Sequence, residues 1–276
     1  MLEAAAPLVL IGAGKMGSAM LSAWLANGLD PAGVTIIDPG LDDARRRGLQ
    51  EMGVCVVAGA ADAAGLAKGP AKILVLAVKP QIMDAVLADA AGFAGPDTVV
   101  ISIAAGTRME TLAAAFADGQ ALVRIMPNTP AQVGAGMAVA LANDALRAGD
   151  RALVDALMTA TGATAWIDDE ALMDAVTAVS GSGPAYVFYL AECLAAAGRA
   201  AGLDEALAEQ LARQTVAGGG ALLGAASEPA AELRENVTSP GGTTAAALAV
   251  LMADDGLKAL LEKAVAAAKA RSVKLG

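Results

Sequence analysis

Short, nearly continuous hydrophobic runs recur along the first half of the chain, and longer stretches with helical spacing separate them. Runs of this length predict buried β-strands, and helices between them predict βαβ units that build a parallel sheet. The strands are expected at residues 8–11, 34–37, 54–57, 73–78, 99–103, 121–125 and 136–141. Helices are expected between several of them, among others at residues 16–26, 81–91 and 109–117.

The pattern changes after Asp144, where strand signals nearly vanish apart from residues 164–167. Helical periodicity then predominates, with aspartates near several expected helix starts and glycines near several ends. These helices are expected at residues 146–160, 169–179, 184–201, 204–223, 230–235, 243–252 and 257–274. We therefore predict two domains without a flexible linker: a doubly wound parallel-sheet domain over residues 1–165 and an all-α domain over residues 166–276.

The composition of the chain restricts the classes of molecule that it is expected to bind. A formal net charge of −10 disfavours nucleic acid and anionic membranes as partners. Hydrophobic residues make up 56% of the chain and aromatic residues only 3%, so small aliphatic side chains must fill the core and helices must pack closely. The start of the chain lacks the basic segment of a signal peptide, and its long uncharged stretches contain proline and glycine. Because Cys55 and Cys193 stand alone, we expect a reduced, cytoplasmic protein.

Histidine is absent from the chain. Its absence excludes histidine-based acid–base catalysis, Ser-His-Asp and Cys-His nucleophiles, and histidine-ligated metals. The two cysteines lack metal-type spacing, so we expect no metal site. Any chemistry must therefore use hydroxyls, backbone amides, carboxylates, lysine or a bound cofactor.

A G-x-G-x-x-G turn at Gly12, Gly14 and Gly17 joins the first predicted strand to the first predicted helix. Gly12 allows the tight turn, Gly14 lets a pyrophosphate approach the backbone, and Gly17 permits close packing of the helix on the strand. In this context the motif predicts a Rossmann-type dinucleotide site, although a glycine turn alone can be purely structural.

The second strand ends at Asp38, 21 residues beyond Gly17, where a carboxylate would bind the adenosine ribose of NAD. The same carboxylate would repel the 2′-phosphate of NADP, which favours NADH. Arg45, Arg46 and Arg47 follow on the next helix and either pair with such a phosphate or form a solvated helix face. These residues leave both NADH and NADPH open.

Polar loops follow three further strands at the carboxyl edge of the predicted sheet, where ligands gather in doubly wound folds. The first loop is Ala77-Val78-Lys79-Pro80, and the others cover residues 102–106 and 126–131. Lys79 is a candidate contact for the cofactor, although a surface lysine after a strand is also common. The Pro-Asn-Thr-Pro turn in the third loop is either a ligand contact or a structural turn.

A second anion-binding signal lies at residues 236–244, Asn-Val-Thr-Ser-Pro-Gly-Gly-Thr-Thr, directly before an alanine-rich helix. A Ser-Pro-Gly-Gly turn that enters a helix leaves several backbone N–H groups free around one point, which suits a carboxylate. The hydroxyls of Thr243 and Thr244 lie beside that point and can donate to, or accept from, a bound molecule.

Together with residues 179–188, Val-Ser-Gly-Ser-Gly-Pro-Ala-Tyr-Val-Phe, these motifs resemble the Δ1-pyrroline-5-carboxylate reductase family over essentially the whole chain. The resemblance implies an α/β fold in which an N-terminal Rossmann-type domain precedes an all-α C-terminal dimerisation domain. It implies hydride transfer from NADPH or NADH to C5 of the cyclic imine pyrroline-5-carboxylate, giving L-proline. It also implies a homodimer through the helical domain, often assembled as a ring of five dimers.

Carried over by position, Thr244 is the expected catalytic residue, with its hydroxyl near the pyrroline nitrogen, and Asn236 would face the cofactor ribose. The substrate carboxylate would be bound by Ser239, Gly241, Gly242 and Thr243. The other expected cofactor-binding residues are Gly12, Gly14, Lys15, Met16, Gly17, Asp38, Ala77, Val78, Lys79, Pro80, Ala104 and Asn128. Asp38 departs from the family pattern, in which a small polar residue is usual and NADPH is generally preferred.

Other interpretations remain open. A related imine oxidoreductase or a β-hydroxyacid dehydrogenase would share the domain pattern. The hydroxyacid enzymes use a lysine in their second domain, and this chain has no lysine from Pro80 through Leu257. A dinucleotide-binding regulator without turnover is the alternative from a different class, and the intact segment at residues 236–244 argues against it.

Overall fold

A computed structural model describes residues 2–64 and 69–275 of the chain. The chain divides into two compact units. The sheet unit comprises Met1–Gly181 with Lys269–Gly276, and the helical unit comprises Ser182–Ala268.

The chain continues to pack on the sheet beyond the domain boundary that we predict near residue 165. Met173 is buried in a small cluster with Met126. Near the C-terminus, the hydroxyl of Ser272 donates to the carboxylate of Asp174 at 2.6 Å. The segment up to Gly181 and the last residues of the chain therefore belong to the sheet unit.

Eight strands form one sheet in the order β3-β2-β1-β4-β5-β6-β7-β8. They are β1 Leu8–Ile11, β2 Val34–Ile37, β3 Cys55–Val57, β4 Ile73–Leu76, β5 Val99–Ser102, β6 Ala121–Met126, β7 Gly136–Ala142 and β8 Gly162–Trp166. The first six strands are parallel, and their order is that of a doubly wound dinucleotide-binding fold, which confirms the predicted fold class.

β7 departs from a wholly parallel sheet, because it runs antiparallel to β6, and β8 follows the direction of β7. The connection from β6 to β7 contains only a 3-10 turn, Thr129–Val133, which ends at Gly134 with a left-handed φ of +70°. A parallel pairing would require a crossover of a dozen or more residues. The short connection therefore fixes the antiparallel direction of β7.

The two faces of the sheet bury alternate residues of each strand. Leu8 and Leu10 of β1 belong to a cluster that includes the fully buried Trp24, while Val9 and Ile11 belong to a cluster on the other face. Burial on both faces explains why these strands appear in the sequence as continuous hydrophobic runs.

Helices of the sheet unit are α1 Lys15–Ala26, α2 Asp43–Glu51, α3 Ala60–Ala64, α4 Met83–Ala90, α5 Met109–Ala115, α6 Ala148–Thr159 and α7 Met173–Val176. The later helices are α8 Gly183–Ala200, α9 Glu205–Ala225, α10 Ala230–Asn236, α11 Thr243–Leu251 and α12 Leu257–Val273. Across the described ranges, no helix combines the length and the hydropathy that crossing a membrane requires.

The segment expected as a helix at residues 169–179 is helical, but it is not one regular α-helix. The structure has a 3-10 turn at Glu170–Leu172, the short α7, and a π-helical turn at Thr177–Gly181. The hydroxyl of Thr177 donates to the carbonyl of Met173 at 2.9 Å. Such back-bonding bends a helix, and single π turns interrupt many helices at functional positions.

The helical unit is packed through small side chains. The buried residues of α8 and α9 are Ala195, Ala208 and Ala212. A Cβ atom added at Gly198 of α8 would lie 3.3 Å from the Cβ of Ala208 on α9, so the two backbones approach closely. The larger apolar side chains of these helices, such as Phe188 at 62% exposure, lie on the surface of the chain.

Candidate functional site

The glycine-rich turn has the geometry that the motif predicts at all three glycines. Gly12 has φ +92°, and a Cβ atom there would lie 2.7 Å from the carbonyl oxygen of Ala77. At Gly17 a Cβ atom would lie only 2.4 Å from the carbonyl oxygen of Gly12. In contrast, an added Cβ at Gly14 meets no atom within 4 Å. Gly12 and Gly17 are therefore required by packing, and Gly14 leaves open space beside the turn.

A cavity of about 610 Å³ lies beside this turn at the carboxyl edge of β1, β2 and β4. Several predicted cofactor-binding residues line it together. They are Gly12, Gly14, Asp38, Ala77, Val78 and Lys79. Apolar residues such as Ile11 and Val86 complete the walls, which suits the adenine end of a dinucleotide.

Asp38 holds two backbone amides beside the cavity. Its Oδ2 accepts the N–H of Ala13 at 2.7 Å, and its Oδ1 accepts the N–H of Gly40 at 2.8 Å. Each carboxylate oxygen retains a lone-pair direction for a further donor, such as a ribose hydroxyl. The carboxylate is therefore held in one orientation where the sequence predicts the ribose.

The three arginines of α2 differ in their contacts. The guanidinium of Arg45 contacts the carbonyl oxygen of Ala13 at 3.4 Å and donates to the hydroxyl of Ser18. Nη2 of the half-buried Arg46 lies 3.5 Å from the carbonyl oxygen of Asp38. Arg47 is exposed. The spacing of these residues in the sequence does not distinguish them.

Several predicted cofactor residues lie outside the lining of this cavity, among them Lys15, Met16, Pro80 and Ala104. Lys15 lines a second cavity of about 590 Å³ together with Arg45, and Met16 packs against the core. Pro80 begins a 3-10 turn, Pro80–Ile82. Ala104 is buried, and its N–H points to the hydroxyl of Ser102 at 3.4 Å. Their roles toward a cofactor stay predictions.

Asn128 links two loops of the sheet unit. Its Oδ1 accepts the N–H of Met137 at 2.8 Å, and its Nδ2 lies 3.3 Å from both the carbonyl and the hydroxyl of Ser180. The side chain thereby connects the loop after β6 to the π-helical turn. A contact between Asn128 and a cofactor stays a prediction beside this structural role.

A charged network at the same edge of the sheet is not among the features predicted from the sequence. Arg124 of β6 is buried and pairs with Glu170, whose carboxylate also accepts the N–H of Met109 at 2.7 Å. The sequence does contain one signal for this network, an arginine within an otherwise apolar strand, since arginine is rarely buried without a partner. Its partner, 46 residues later, could not be inferred from the pattern.

The turn before α11 has the free amides that the sequence predicts. Gly241 adopts a left-handed φ of +70°, and the first backbone bond of the helix joins the N–H of Ala246 to the carbonyl of Gly242 at 3.2 Å. The amides of Thr243, Thr244 and Ala245 therefore lack acceptors among the described residues. They form a donor cluster at the N-terminus of the helix, where the helix dipole favours an anion.

The side chains around this donor cluster have different exposures. Ser239 and Thr243 are exposed, and Thr244 is half-buried. Asn236 ends α10 and is exposed. Their roles in binding a substrate or cofactor stay predictions. Over residues 2–64 and 69–275, no cluster of three or more acidic or cysteine side chains could hold a metal ion.

Two family models match the chain. Residues 170–275 match the family described as pyrroline-5-carboxylate reductase dimerisation. Residues 7–106 match the family described as NADP oxidoreductase, coenzyme F420-dependent. The second match covers the glycine-rich turn and the whole cavity lining, and the first covers the turn before α11.

Full-length relatives agree with these matches. The chain is 42% identical over 271 residues to a pyrroline-5-carboxylate reductase from Synechocystis sp., covering 98% of each chain. The solved structure of a pyrroline-5-carboxylate reductase from Coxiella burnetii matches with a TM-score of 0.89, 32% identity and 99% coverage of each chain. That of a Plasmodium falciparum pyrroline carboxylate reductase with NADP bound matches with a TM-score of 0.81, 29% identity and 98% coverage of each chain.

Proposed function

The chain belongs to the pyrroline-5-carboxylate reductase family, and on that premise we propose that it reduces Δ1-pyrroline-5-carboxylate to L-proline with NAD(P)H. The observation that carries the proposal is the likeness over 98% of the chain, which spans the dinucleotide cavity and the donor cluster alike. In this reaction a hydride adds to C5 of the cyclic imine, and the ring nitrogen carries the proton.

The sheet unit supplies the cofactor end of this proposal. When bound, NAD(P)H supplies the hydride. The protein's own task is then to orient the cofactor and to exclude competing reactions. The open space at Gly14 suits a pyrophosphate, because no side chain shields the backbone there. Asp38 and the apolar walls of the cavity suit an adenosine group. These features fit a nicotinamide dinucleotide at the carboxyl edge of the sheet.

The helical unit supplies the substrate end. We assign the carboxylate of the imine to the free amides at the start of α11, together with Ser239, Gly241, Gly242 and Thr243. Charge-assisted hydrogen bonds from backbone N–H groups to a carboxylate are among the stronger ones in proteins. We assign the contact with the ring nitrogen to the hydroxyl of Thr244, which is half-buried at the second position of the helix.

The chemistry of the imine explains why no histidine is needed. A protonated imine is already electrophilic at C5, so the protein has to position it and hold its nitrogen with one hydrogen bond. A threonine hydroxyl can make that bond without changing its protonation state. Proximity and orientation of the hydride donor then supply most of the rate enhancement.

The test is reduction of pyrroline-5-carboxylate by the purified protein, followed as oxidation of NADH or NADPH with proline identified as the product. We expect Thr244→Ala to lower kcat by about ten- to a thousandfold, the range for one transition-state hydrogen bond. Thr244→Ser keeps the hydroxyl and is the matched control. A wild-type protein that binds NAD(P)H without turnover would overturn the proposed reaction, and a fully active Thr244→Ala would overturn the role of Thr244.

The match to the dimerisation family supports oligomerisation of this chain. We propose that the oligomer is a homodimer formed through the helical unit, and that five dimers assemble into the ring that the family resemblance implies. Its partners are then a second copy of the chain and a small-molecule substrate, with no nucleic acid or membrane. We also propose that the protein is cytoplasmic, since its two cysteines are free, as is usual in a reducing compartment.

A further inference from the structure

The two peptide groups on either side of Ala13 are both held by side chains. The N–H of Ala13 donates to Asp38 at 2.7 Å. The carbonyl oxygen of Ala13 accepts the hydroxyl of Ser18 at 2.6 Å and contacts the guanidinium of Arg45 at 3.4 Å. Arg45 also donates to Ser18, so the two donors support each other. We call Asp38, Ser18 and Arg45 the turn clamp.

The direction of the Gly14 amide follows from the turn clamp. The carbonyl of Ala13 and the N–H of Gly14 belong to one trans peptide group and point in opposite directions. Ser18 and Arg45 line the second cavity, whereas Gly14 lines the cavity proposed for the cofactor. Holding the carbonyl toward Ser18 and Arg45 therefore turns the Gly14 N–H away from the second cavity.

The sequence left Arg45 as a candidate ligand of a 2′-phosphate. Its guanidinium, however, is engaged with the Ala13 carbonyl and Ser18, while Arg46 lies against the carbonyl oxygen of Asp38 at the ribose position. Arg45 thus acts on the turn that faces the pyrophosphate, a group that NADH and NADPH share. Arg46 is the arginine placed near the group by which the two cofactors differ.

We propose that Arg45 is a positioning residue, which holds the glycine-rich turn in its pyrophosphate-binding conformation and does not bind the 2′-phosphate of NADPH. This rests on the proposed use of a nicotinamide dinucleotide. A glycine-rich turn has few side chains of its own to fix its peptide planes, so contacts from neighbouring helices must do so. A cation on the Ala13 carbonyl also polarises the peptide and strengthens the Gly14 N–H as a donor.

The experiment measures dissociation constants of NADH and NADPH separately, without substrate, by fluorescence titration of the full-length protein. We expect Arg45→Ala to raise both constants by about three- to tenfold and to leave their ratio unchanged. Arg45→Lys retains a cation within reach of the carbonyl and should recover part of the loss. Arg47→Ala removes a neighbouring exposed arginine of the same helix and should change neither constant.

Ser18→Ala gives an independent measurement should Arg45→Ala fold poorly, because it removes the 2.6 Å donor to the same carbonyl. It should weaken both cofactors equally. A loss confined to NADPH in Arg45→Ala would overturn the proposal and make Arg45 a phosphate ligand. Unchanged constants, with or without a lower melting temperature, would also overturn it. Failure of the wild-type protein to bind either cofactor would instead count against the proposed function.

Discussion

Gly14 and Gly17 lie three residues apart in one turn and serve different purposes. A Cβ atom at Gly17 would lie 2.4 Å from the carbonyl oxygen of Gly12 and 3.2 Å from the Cβ of Ala77, so α1 could not keep its distance from the sheet. A Cβ atom at Gly14 would meet open space, and its φ of −62° suits any residue. One glycine therefore serves packing, and the other keeps space for a ligand.

This difference predicts opposite outcomes for two alanine substitutions. Gly17→Ala should lower the free energy of unfolding by about 1–3 kcal/mol, the usual cost of overpacking, and weaken NADH binding with it. Gly14→Ala should leave the free energy of unfolding within about 0.5 kcal/mol of the wild type. It should nevertheless raise the dissociation constant of NADH at least tenfold, because the methyl group would stand where the pyrophosphate approaches. Urea denaturation and fluorescence titration separate the two effects, and a Gly14→Ala variant with normal NADH affinity would contradict this explanation.

At the residue scale, the sequence was sufficient to identify candidate cofactor-binding residues but not the atoms that they contact. The G-x-G-x-x-G spacing and the end of β2 were sufficient to single out Gly12, Gly14, Gly17 and Asp38, because each follows a buried strand at a fixed offset. The distinction between Arg45 and Arg46 was not predictable. It depends on the rotation of α2 about its axis, which the N-cap at Asp42 and the packing of the helix set together.

At the element scale, Glu170 connects three segments at the carboxyl edge of the sheet. Its carboxylate pairs with Arg124 of β6 and accepts the N–H of Met109 at the start of α5, and it begins the 3-10 turn before α7. The side chain of Arg124 is only 8% exposed, so removal of its partner leaves a charge that solvent reaches poorly. The pair Arg147–Asp97, with side chains 68% and 76% exposed, is a natural comparison.

We expect Glu170→Ala to lower the free energy of unfolding by about 1–3 kcal/mol, because Arg124 and the Met109 amide both lose an acceptor. Asp97→Ala breaks a solvent-exposed pair and should cost clearly less than Glu170→Ala. Urea denaturation of both variants measures the difference directly. Equal stability losses in the two variants would show that burial of Arg124 does not make its pairing important.

The ends of strands and helices were predictable where the local hydrophobic pattern alone determines them. β1 and β2 match the expected ranges residue for residue, because runs buried on both faces have sharp ends. The expected strand at residues 73–78 ends earlier, at Leu76, since Ala77 and Val78 already line the cavity. The segment expected as one helix at residues 169–179 instead changes from 3-10 to α to π geometry. Side-chain bonds from Thr177 to Met173 and from Asn128 to Ser180 lie at these changes, and the sequence pattern does not indicate them.

At the scale of the whole molecule, the helical unit has little core of its own. The buried residues of α8 and α9 are alanines, whereas large apolar side chains of the unit are exposed, among them Phe188, Leu222, Leu223, Val250 and Leu260. Exposed apolar area on this scale marks an interaction surface in a monomer. The composition predicted close helix packing, but it could not indicate which side chains would be left outside.

The proposed dimer through the helical unit predicts that a charge on this surface dissociates it. Leu222 of α9 is 56% exposed and Met52 of the sheet unit is 52% exposed, so the two positions are matched in exposure and differ in the unit that carries them. Leu222→Glu should shift the mass measured by light scattering toward that of a monomer, because a buried carboxylate without a partner is costly in an apolar interface. Met52→Glu should leave the mass unchanged. If Met52→Glu dissociates the oligomer and Leu222→Glu leaves it intact, the interface lies in the sheet unit and the proposed dimer is wrong. Because the two side chains are similarly exposed, exposure alone cannot explain which of them the assembly covers.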